Sequence, residues 1–360
     1  MNFELWDLAL LFLCARIGGT VATRLHQPAL IGELLAGAAL GAIVSGLAAS
    51  TIIQVVAQIG IMFLLLLTML SIDLEAIEES IERLVLSQIC TAAIIFALLM
   101  VLFSYLQMNL DLVLVVGAAI FGSSTVISVR MLLSIGELNS REGQAIVGLQ
   151  VMNAIIEILL ISSAISLLQA KEFTVAPVLS LVLMAVGTFA VVSRIGDRFI
   201  HGVMRSIQVL KMDEVLLALT LLLAFSVAAI TEVVGLTPYL GVMLIGVLIS
   251  RTPQAEAVSS SIKQIGEGFF IPVFFASLGL GVTFLPILNN LQWLITLLVS
   301  FIAIRFIAVI VPALFSGNSV LESLRIAAGM APMSEYGLLM LRLGVSYEVL
   351  SATDYSTLVV

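Results

Sequence analysis

Gly117-Ala118-Ala119-Ile120-Phe121-Gly122-Ser123-Ser124-Thr125 and Gly329-Met330-Ala331-Pro332-Met333-Ser334-Glu335-Tyr336-Gly337 decide how this chain is read. Each lies inside an apolar stretch of membrane-spanning length, and each is rich in residues that loosen a helix. Glycine frees the backbone, and proline removes a helix hydrogen bond. Non-helical backbone at membrane depth is tolerated only where it is buried in protein or lines water. Both stretches are therefore expected to be broken helices. They fall in the fifth and twelfth hydrophobic segments, equivalent positions in the two halves of the chain. Interrupted segments in matching positions point to the transport site of a carrier built from repeats. Ordinary kinked helices packed through small residues are the competing reading.

Hydrophobic residues make up 61% of the 360 and charged residues 11%. A soluble domain is nearer half apolar and a quarter charged, so the fold class is an all-α polytopic membrane protein. About twelve apolar stretches of roughly 17–25 residues are long enough to span. They centre near Phe12, Leu40, Leu64, Ile94, Ala119, Ile156, Leu183, Leu222, Leu244, Phe274, Ile302 and Leu338. The runs do not alternate, which excludes a β-barrel. With the N-terminus outside, Arg24, Arg83, Arg130, Arg141, Arg194, Arg251 and Arg325 fall on one side, while Lys171 lies opposite. The positive-inside rule makes the crowded side cytoplasmic. A multi-pass protein of the cell membrane is expected. The acidic start, Glu4 and Asp7, lacks the basic region of a cleavable signal peptide. The net charge of -8 gives no reason to expect nucleic acid as a partner. Cys14 and Cys90 fall in predicted spans and read as small buried residues, not as a disulfide or a metal site.

The longest polar connection, Arg194 to Glu214, divides the chain into halves that resemble each other weakly. Pro28, Gly32 and Gly37 in one half correspond to Pro238, Gly241 and Gly246 in the other. Such symmetry is the signature of a repeat-built transporter. A single transmembrane domain is expected, with a first repeat over about residues 1–170, a linking helix over about 174–193 and a second repeat over about 212–360. The second repeat is one span short. Ser356-Thr357-Leu358-Val359-Val360 reads as the start of a further helix, expected to lie beyond this sequence.

Ionisable residues stranded in apolar segments carry the functional argument. A charge at mid-bilayer costs roughly 2.5–3.5 kcal/mol on insertion scales, and such residues line ion or proton paths. Asn153 and Glu157 are four residues apart and share one helix face. A carboxylate, an amide oxygen and hydroxyls from Ser123, Ser124 or Thr125 suit a small hard cation. Proton and cation would then compete for Glu157, which is enough for antiport. A structural carboxylate paired with arginine is the alternative. Arg305 needs a partner; Glu335 is the first candidate and Glu157 the second, the former pair bracing the broken helix and the latter acting as a switch. Arg16 and Glu33 lie nearer span ends and read as packing or interface residues. The acidic run Asp73, Glu75, Glu78, Glu79 and Glu82 reads as a solvated connector, or as a cation funnel. His26 and His201 read as solvated loop residues.

Several stretches taken in order resemble the monovalent cation:proton antiporter superfamily, in the branch with sodium/proton exchangers and glutathione-gated potassium efflux antiporters. They are Gln27-Pro28-Ala29-Leu30-Ile31-Gly32-Glu33-Leu34-Leu35-Ala36-Gly37 with Ala15-Arg16, Ser123-Ser124-Thr125-Val126, Gly136-Glu137-Leu138-Asn139, and Phe269-Phe270-Ile271-Pro272-Val273-Phe274-Phe275. The resemblance covers essentially the whole chain. It implies an inverted-repeat antiporter fold of about thirteen helices with two crossed broken helices, a homodimer, and elevator-like movement of a core domain against a dimerisation domain. It places Arg305 and Glu335 where relatives carry a basic residue and a Glu. Many relatives carry a cytoplasmic nucleotide-binding regulator, for which this sequence has no counterpart. Two stretches depart from the pattern. Where relatives have an ion-carrying Asp in the sixth span, this chain has Asn153-Ala154, and Glu157 is read as its replacement one turn on. The third-span pattern is altered to Met69-Leu70-Ser71-Ile72-Asp73.

The expected function is exchange of Na⁺ or K⁺ for H⁺. One carboxylate returns one proton per cycle, which implies electroneutral exchange. A non-transporting sensor or scaffold, and a channel or carrier for another solute, remain as alternatives. No cofactor is expected, and no nucleophile–base pair suggests an enzyme.

Overall fold

The computed structural model describes residues 4–44, 46–70, 81–106, 110–138, 140–170, 213–233, 238–282 and 291–359. The described regular structure is helical throughout. Of the expected span centres, all but Leu183 fall in described helices; Leu183, the proposed linking helix, His201 and most of the acidic run lie outside the described residues. Among the described residues, six helices are long and apolar enough to cross a bilayer: Leu5–Arg24, Thr51–Leu70, Glu82–Tyr105, Arg141–Ile165, Val215–Val233 and Leu294–Phe315. Their exposed leucines, such as Leu222 at 62% and Leu298 at 55%, suit a hydrocarbon surround. Other apolar helices are shorter, and two of these, Asp111–Phe121 and Tyr336–Ser346, belong to the interrupted segments.

The chain forms two compact units. One comprises Met1–Asp73 and Glu172–Val282, the other Leu74–Lys171 and Thr283–Val360. Each therefore draws helices from both halves of the sequence. In the first unit, Glu4–Arg24, Ala29–Ile43 and Thr51–Leu70 pack with Asp213–Val233, Pro238–Ser250 and Ile271–Gly279. Its core gathers Leu11, Ala15, Leu40, Ile53, Val273 and Ala276. Small residues set the spacing. A Cβ on Gly37 would collide with the Ala276 carbonyl, and one on Gly279 with the Leu34 carbonyl, so the two helices meet backbone to backbone. Of the other motif glycines, Gly32 lies against the Gly18 carbonyl, Gly241 against the Ala228 backbone and Gly246 against Met69, so the paired glycines serve close helix approach. Arg16 is exposed and donates from Nη1 to the Glu267 carbonyl at 3.3 Å, within a turn of π-helix at Gly266–Phe270. Glu33 is 4% exposed and packs against Gly19, deeper than its place in the sequence suggested.

The second unit holds Ile81–Tyr105, Leu110–Phe121, Thr125–Ser134, Arg141–Ala170, Leu291–Phe315, Val320–Gly329, Glu335–Ser346 and Ala352–Val359. Ile95, Leu99, Val116, Ile120, Phe121 and Ala308 form one core around the first interrupted helix. Leu132, Ile146, Val309, Ile326 and Met330 form another beside the second. Gly136, at φ 72°, ends the Thr125–Ser134 half-helix in a left-handed turn, with Glu137 N–H donating to the Leu132 carbonyl at 2.9 Å. Val320–Gly329 begins in a reciprocal cap: Ser319 Oγ accepts from Glu322 N–H, and Glu322 accepts from Ser319 N–H at 2.6 Å. Around that cap, Arg325 pairs with Glu142 at 2.9 Å and Arg141 with Glu322 at 3.6 Å, exposed ion pairs that contribute little to stability.

Gly37→Ala is expected to lower the stability of the detergent-solubilised protein by about 1–3 kcal/mol, because the helix backbones must separate. Gly268→Ala, whose Cβ would meet nothing within 4 Å, is expected to leave the thermal unfolding midpoint essentially unchanged.

Candidate ion-binding site

The two glycine-rich stretches are interrupted as expected, and the interruptions meet. Helix stops at Phe121 and resumes at Thr125; it stops at Gly329 and resumes at Glu335. Each break strands backbone groups that the helix no longer satisfies. The breaks satisfy one another through an isolated antiparallel bridge between Ser123 and Met333. Ser124 N–H donates to the Pro332 carbonyl at 3.0 Å, and Ser334 N–H donates to the Gly122 carbonyl at 3.3 Å. Pro332 has no N–H of its own and disfavours helix in the residue before it, which explains the break at this point.

Arg305 satisfies the carbonyls at the ends of both half-helices. Its Nε and Nη2 donate to the Met330 carbonyl at 2.9 and 2.7 Å, and its Nη1 donates to the Ile120 carbonyl. These are the negative ends of two helix dipoles, so a buried cation is stabilised there by backbone. Main-chain carbonyls thus hold the guanidinium, and Arg305 also interacts electrostatically with Glu157. A continuous helix offers none of these acceptors, but two broken ones offer them at close range. The Glu335 side chain lies outside the described residues.

Side chains of Arg141–Ala170 complete the crossing. Asn153 Oδ1 accepts from Ser123 N–H at 2.7 Å, and its Nδ2 donates to Gln88 Oε1 at 3.1 Å and to the Phe121 carbonyl at 3.2 Å. Gln150 Nε2 donates to Ser123 Oγ and Ser128 Oγ, both at 2.7 Å. Those hydroxyls donate onward to the Met330 carbonyl at 3.0 Å and the Gly329 carbonyl at 2.6 Å. Thr125 Oγ1 reaches Gln150 Oε1 at 3.5 Å. Ser124 Oγ is buried and has no hydrogen-bond partner among the described residues. Glu157, 1% exposed, accepts a hydrogen bond from Ser334 Oγ and presses on Gly122, where any Cβ would collide with its carboxylate.

The predicted residues thus converge on one place and divide in role. Asn153 and Ser123 are engaged in building the crossing. Glu157 and the Ser124 hydroxyl supply oxygens at the same interruption. Ala154, where relatives are expected to carry Asp, is buried at 4% exposure. Gln88, Gln150, Ser128 and Ser334 escaped the sequence reading. Gln150 lies three residues before Asn153, hence on the same face. Ser334 stands directly before a helix start, where Ser is a preferred cap.

The family profile described as "Sodium/hydrogen exchanger, transmembrane" matches residues 9–360. The chain belongs to that family. It is 26% identical to a protein of Bacillus cereus named as probable Na(+)/H(+) antiporter GerT, over 99% of this chain and 94% of that one. It is 28% identical to the Na(+)/H(+)-K(+) antiporter GerN of the same organism, over 100% of this chain and 92% of the relative. The solved structure of the sodium proton antiporter MjNhaP1 from Methanocaldococcus jannaschii shares the fold, with a TM-score of 0.78 at 18% identity, covering 98% of this chain and 91% of the other. A multi-pass membrane protein of an exchanger family, with two broken helices crossing, is therefore established.

Replacing Arg305 tests the carbonyl clamp. Arg305→Met leaves the Met330 and Ile120 carbonyls without their cation and is expected to destabilise by about 3 kcal/mol or more. Arg305→Lys is expected to recover only part of this in thermal unfolding, since an ammonium lacks the planar fork that spans two carbonyls.

Proposed function

We propose that the protein is a secondary active antiporter that exchanges a monovalent cation, Na⁺ or K⁺, for H⁺ by alternating access. The observation that carries this reading is the placement of Glu157: a buried carboxylate at the meeting point of two broken helices, against Gly122 and Ser334. Membership of the exchanger family and the named activities of the relatives support it.

Glu157 is the shared carrier. Deprotonated, it draws a cation to the interruption, where the Ser124 hydroxyl, without a hydrogen-bond partner among the described residues, is available as a second oxygen ligand. Protonated, it is neutral. Either occupant removes the cost of moving a bare charge through a low-dielectric interior. One carboxylate exchanges one cation for one proton, so the cycle is electroneutral. Arg305, held by backbone carbonyls, is a fixed structural charge. The repeats run over about residues 1–170 and 212–360, joined by a linking helix at about 174–193. The protein sits in the cell membrane with its N-terminus outside, the orientation that the distribution of Arg and Lys favours, and as the homodimer that the family resemblance implies.

Antiport in proteoliposomes with a trapped pH dye tests the proposal. Na⁺ or K⁺ added outside an acid-loaded vesicle is expected to drive proton efflux, and Glu157→Gln is expected to abolish it, at least a hundredfold. Cation-driven flux that persists in Glu157→Gln would move the carrier elsewhere. Absence of flux in the unaltered protein with Na⁺, K⁺ and Li⁺ would favour a non-transporting role.

A further inference from the structure

We propose that Ser334 is a positioning residue that holds Glu157 in its charged, cation-accepting state; the inference rests on the reading of Glu157 as carrier. Ser334 caps the Glu335–Ser346 helix in an extended conformation, φ -79° and ψ 153°. Its Oγ accepts from Tyr336 N–H at 3.1 Å and from Gly337 N–H at 3.3 Å. A serine hydroxyl has two acceptor sites and one proton. Gly337 N–H is shared with the Ser334 carbonyl at 3.2 Å; with the hydroxyl oxygen engaged by the helix N-terminus, its proton is given to Glu157 Oε1. Ser334 thus acts toward Glu157 as a donor.

That restriction makes the contact sensitive to protonation. Donation to a carboxylate is charge-assisted and strong; donation to a neutral acid is weaker. The same hydroxyl also relays the positive end of the helix, through two N–H groups, toward the anion. Both effects favour the charged form of Glu157 over the protonated one. Ser334 is 4% exposed, so water does not substitute for it.

Other charges on the packed helices contribute a background that Ser334 does not control. Arg305 interacts with Glu157 electrostatically. Glu335 opens the same helix as Ser334, and Arg342 follows two turns later. Asp111 lies in the first turn of Leu110–Phe121, Arg130 within Thr125–Ser134, Glu82 and Arg83 at the start of Ile81–Tyr105, and Glu322 and Arg325 within Val320–Gly329. Arg141 and Glu142 begin the helix that carries Glu157 itself. Asp354 and Tyr355 lie in Ala352–Val359, packed on the helix that Ser334 caps, and none of these groups changes when the Ser334 hydroxyl is removed.

The test uses the full chain in proteoliposomes, comparing the pH profile of antiport and the apparent KM for Na⁺ and K⁺. Ser334→Gly deletes the hydroxyl while Gly remains an acceptable cap. Its acid limb is expected to move to more alkaline pH by about one to two units, with apparent KM raised at least tenfold on that limb and the maximal rate at alkaline pH retained. Ser334→Thr keeps the donor and is expected to keep the profile. Ser334→Cys keeps the shape with a weak donor and is expected to shift part-way, which preserves the test if the glycine variant does not fold. A profile that falls equally at every pH, or does not move, would overturn the role of Ser334 while leaving Glu157→Gln inactive. Activity in Glu157→Gln, or no flux in the unaltered protein, would instead remove the carrier reading and this inference with it.

Discussion

Two helices broken at membrane depth must find partners for their freed backbone groups within the protein, and this unit is arranged around that requirement. Hydrocarbon offers no hydrogen bonds, and each unpaired group there costs several kcal/mol. The breaks at Gly122–Ser124 and Met330–Ser334 answer part of the demand by bonding to each other. Asn153, Gln150, Ser123 and Ser128 answer a further part with amide and hydroxyl groups. The C-terminal carbonyls remain, and Arg305 takes them. A buried arginine would be hard to accommodate in an intact bundle; here the broken helices supply the negative ends that hold it.

The same geometry separates the roles of two buried charges. Arg305 meets carbonyls at helix C-termini, whereas Glu157 meets a hydroxyl at a helix N-terminus. Each charge lies at the end of the dipole that suits it. A cation whose three guanidinium nitrogens all donate to backbone carbonyls is poorly placed to exchange partners. A carboxylate that accepts from the Ser334 hydroxyl and is crowded against Gly122 at the interruption is better suited to exchange a proton for a cation. This difference, rather than the presence of charge in the membrane, is why the proposed carrier is Glu157 and not Arg305.

Much of the fold was legible because hydrophobic length and helix-breaking residues act locally. Gly122, Pro332 and their neighbours announce the breaks wherever the rest of the chain lies, and the four-residue spacing of Asn153 and Glu157 announces a shared face. Partner choice was not legible. Charge pairing, the simplest rule for a buried arginine, points Arg305 to Glu335 or Glu157; the Met330 and Ile120 carbonyls that also hold it are main-chain atoms that only the crossing brings near. Ser334 was overlooked for the same reason. In sequence it is a cap before Glu335, and only the meeting of the two breaks places it on Glu157. Gln88 and Gln150 close the network around Asn153 and Ser123 through bonds that only the fold brings about.

The family carries its exchange function on a scaffold in which this chain has an alanine, Ala154, at the position the resemblance assigns to the ion-carrying Asp. Moving the carboxylate one turn along the helix, to Glu157, keeps it at the interruption. Difference infrared spectroscopy on the purified protein tests this account most directly. On adding Na⁺ or K⁺ at a pH where the site is protonated, one protonated-carboxyl band is predicted to disappear, and Glu157→Gln is predicted to remove that response. A cation response that survives Glu157→Gln, or a carboxyl band indifferent to cation in the unaltered protein, would contradict it.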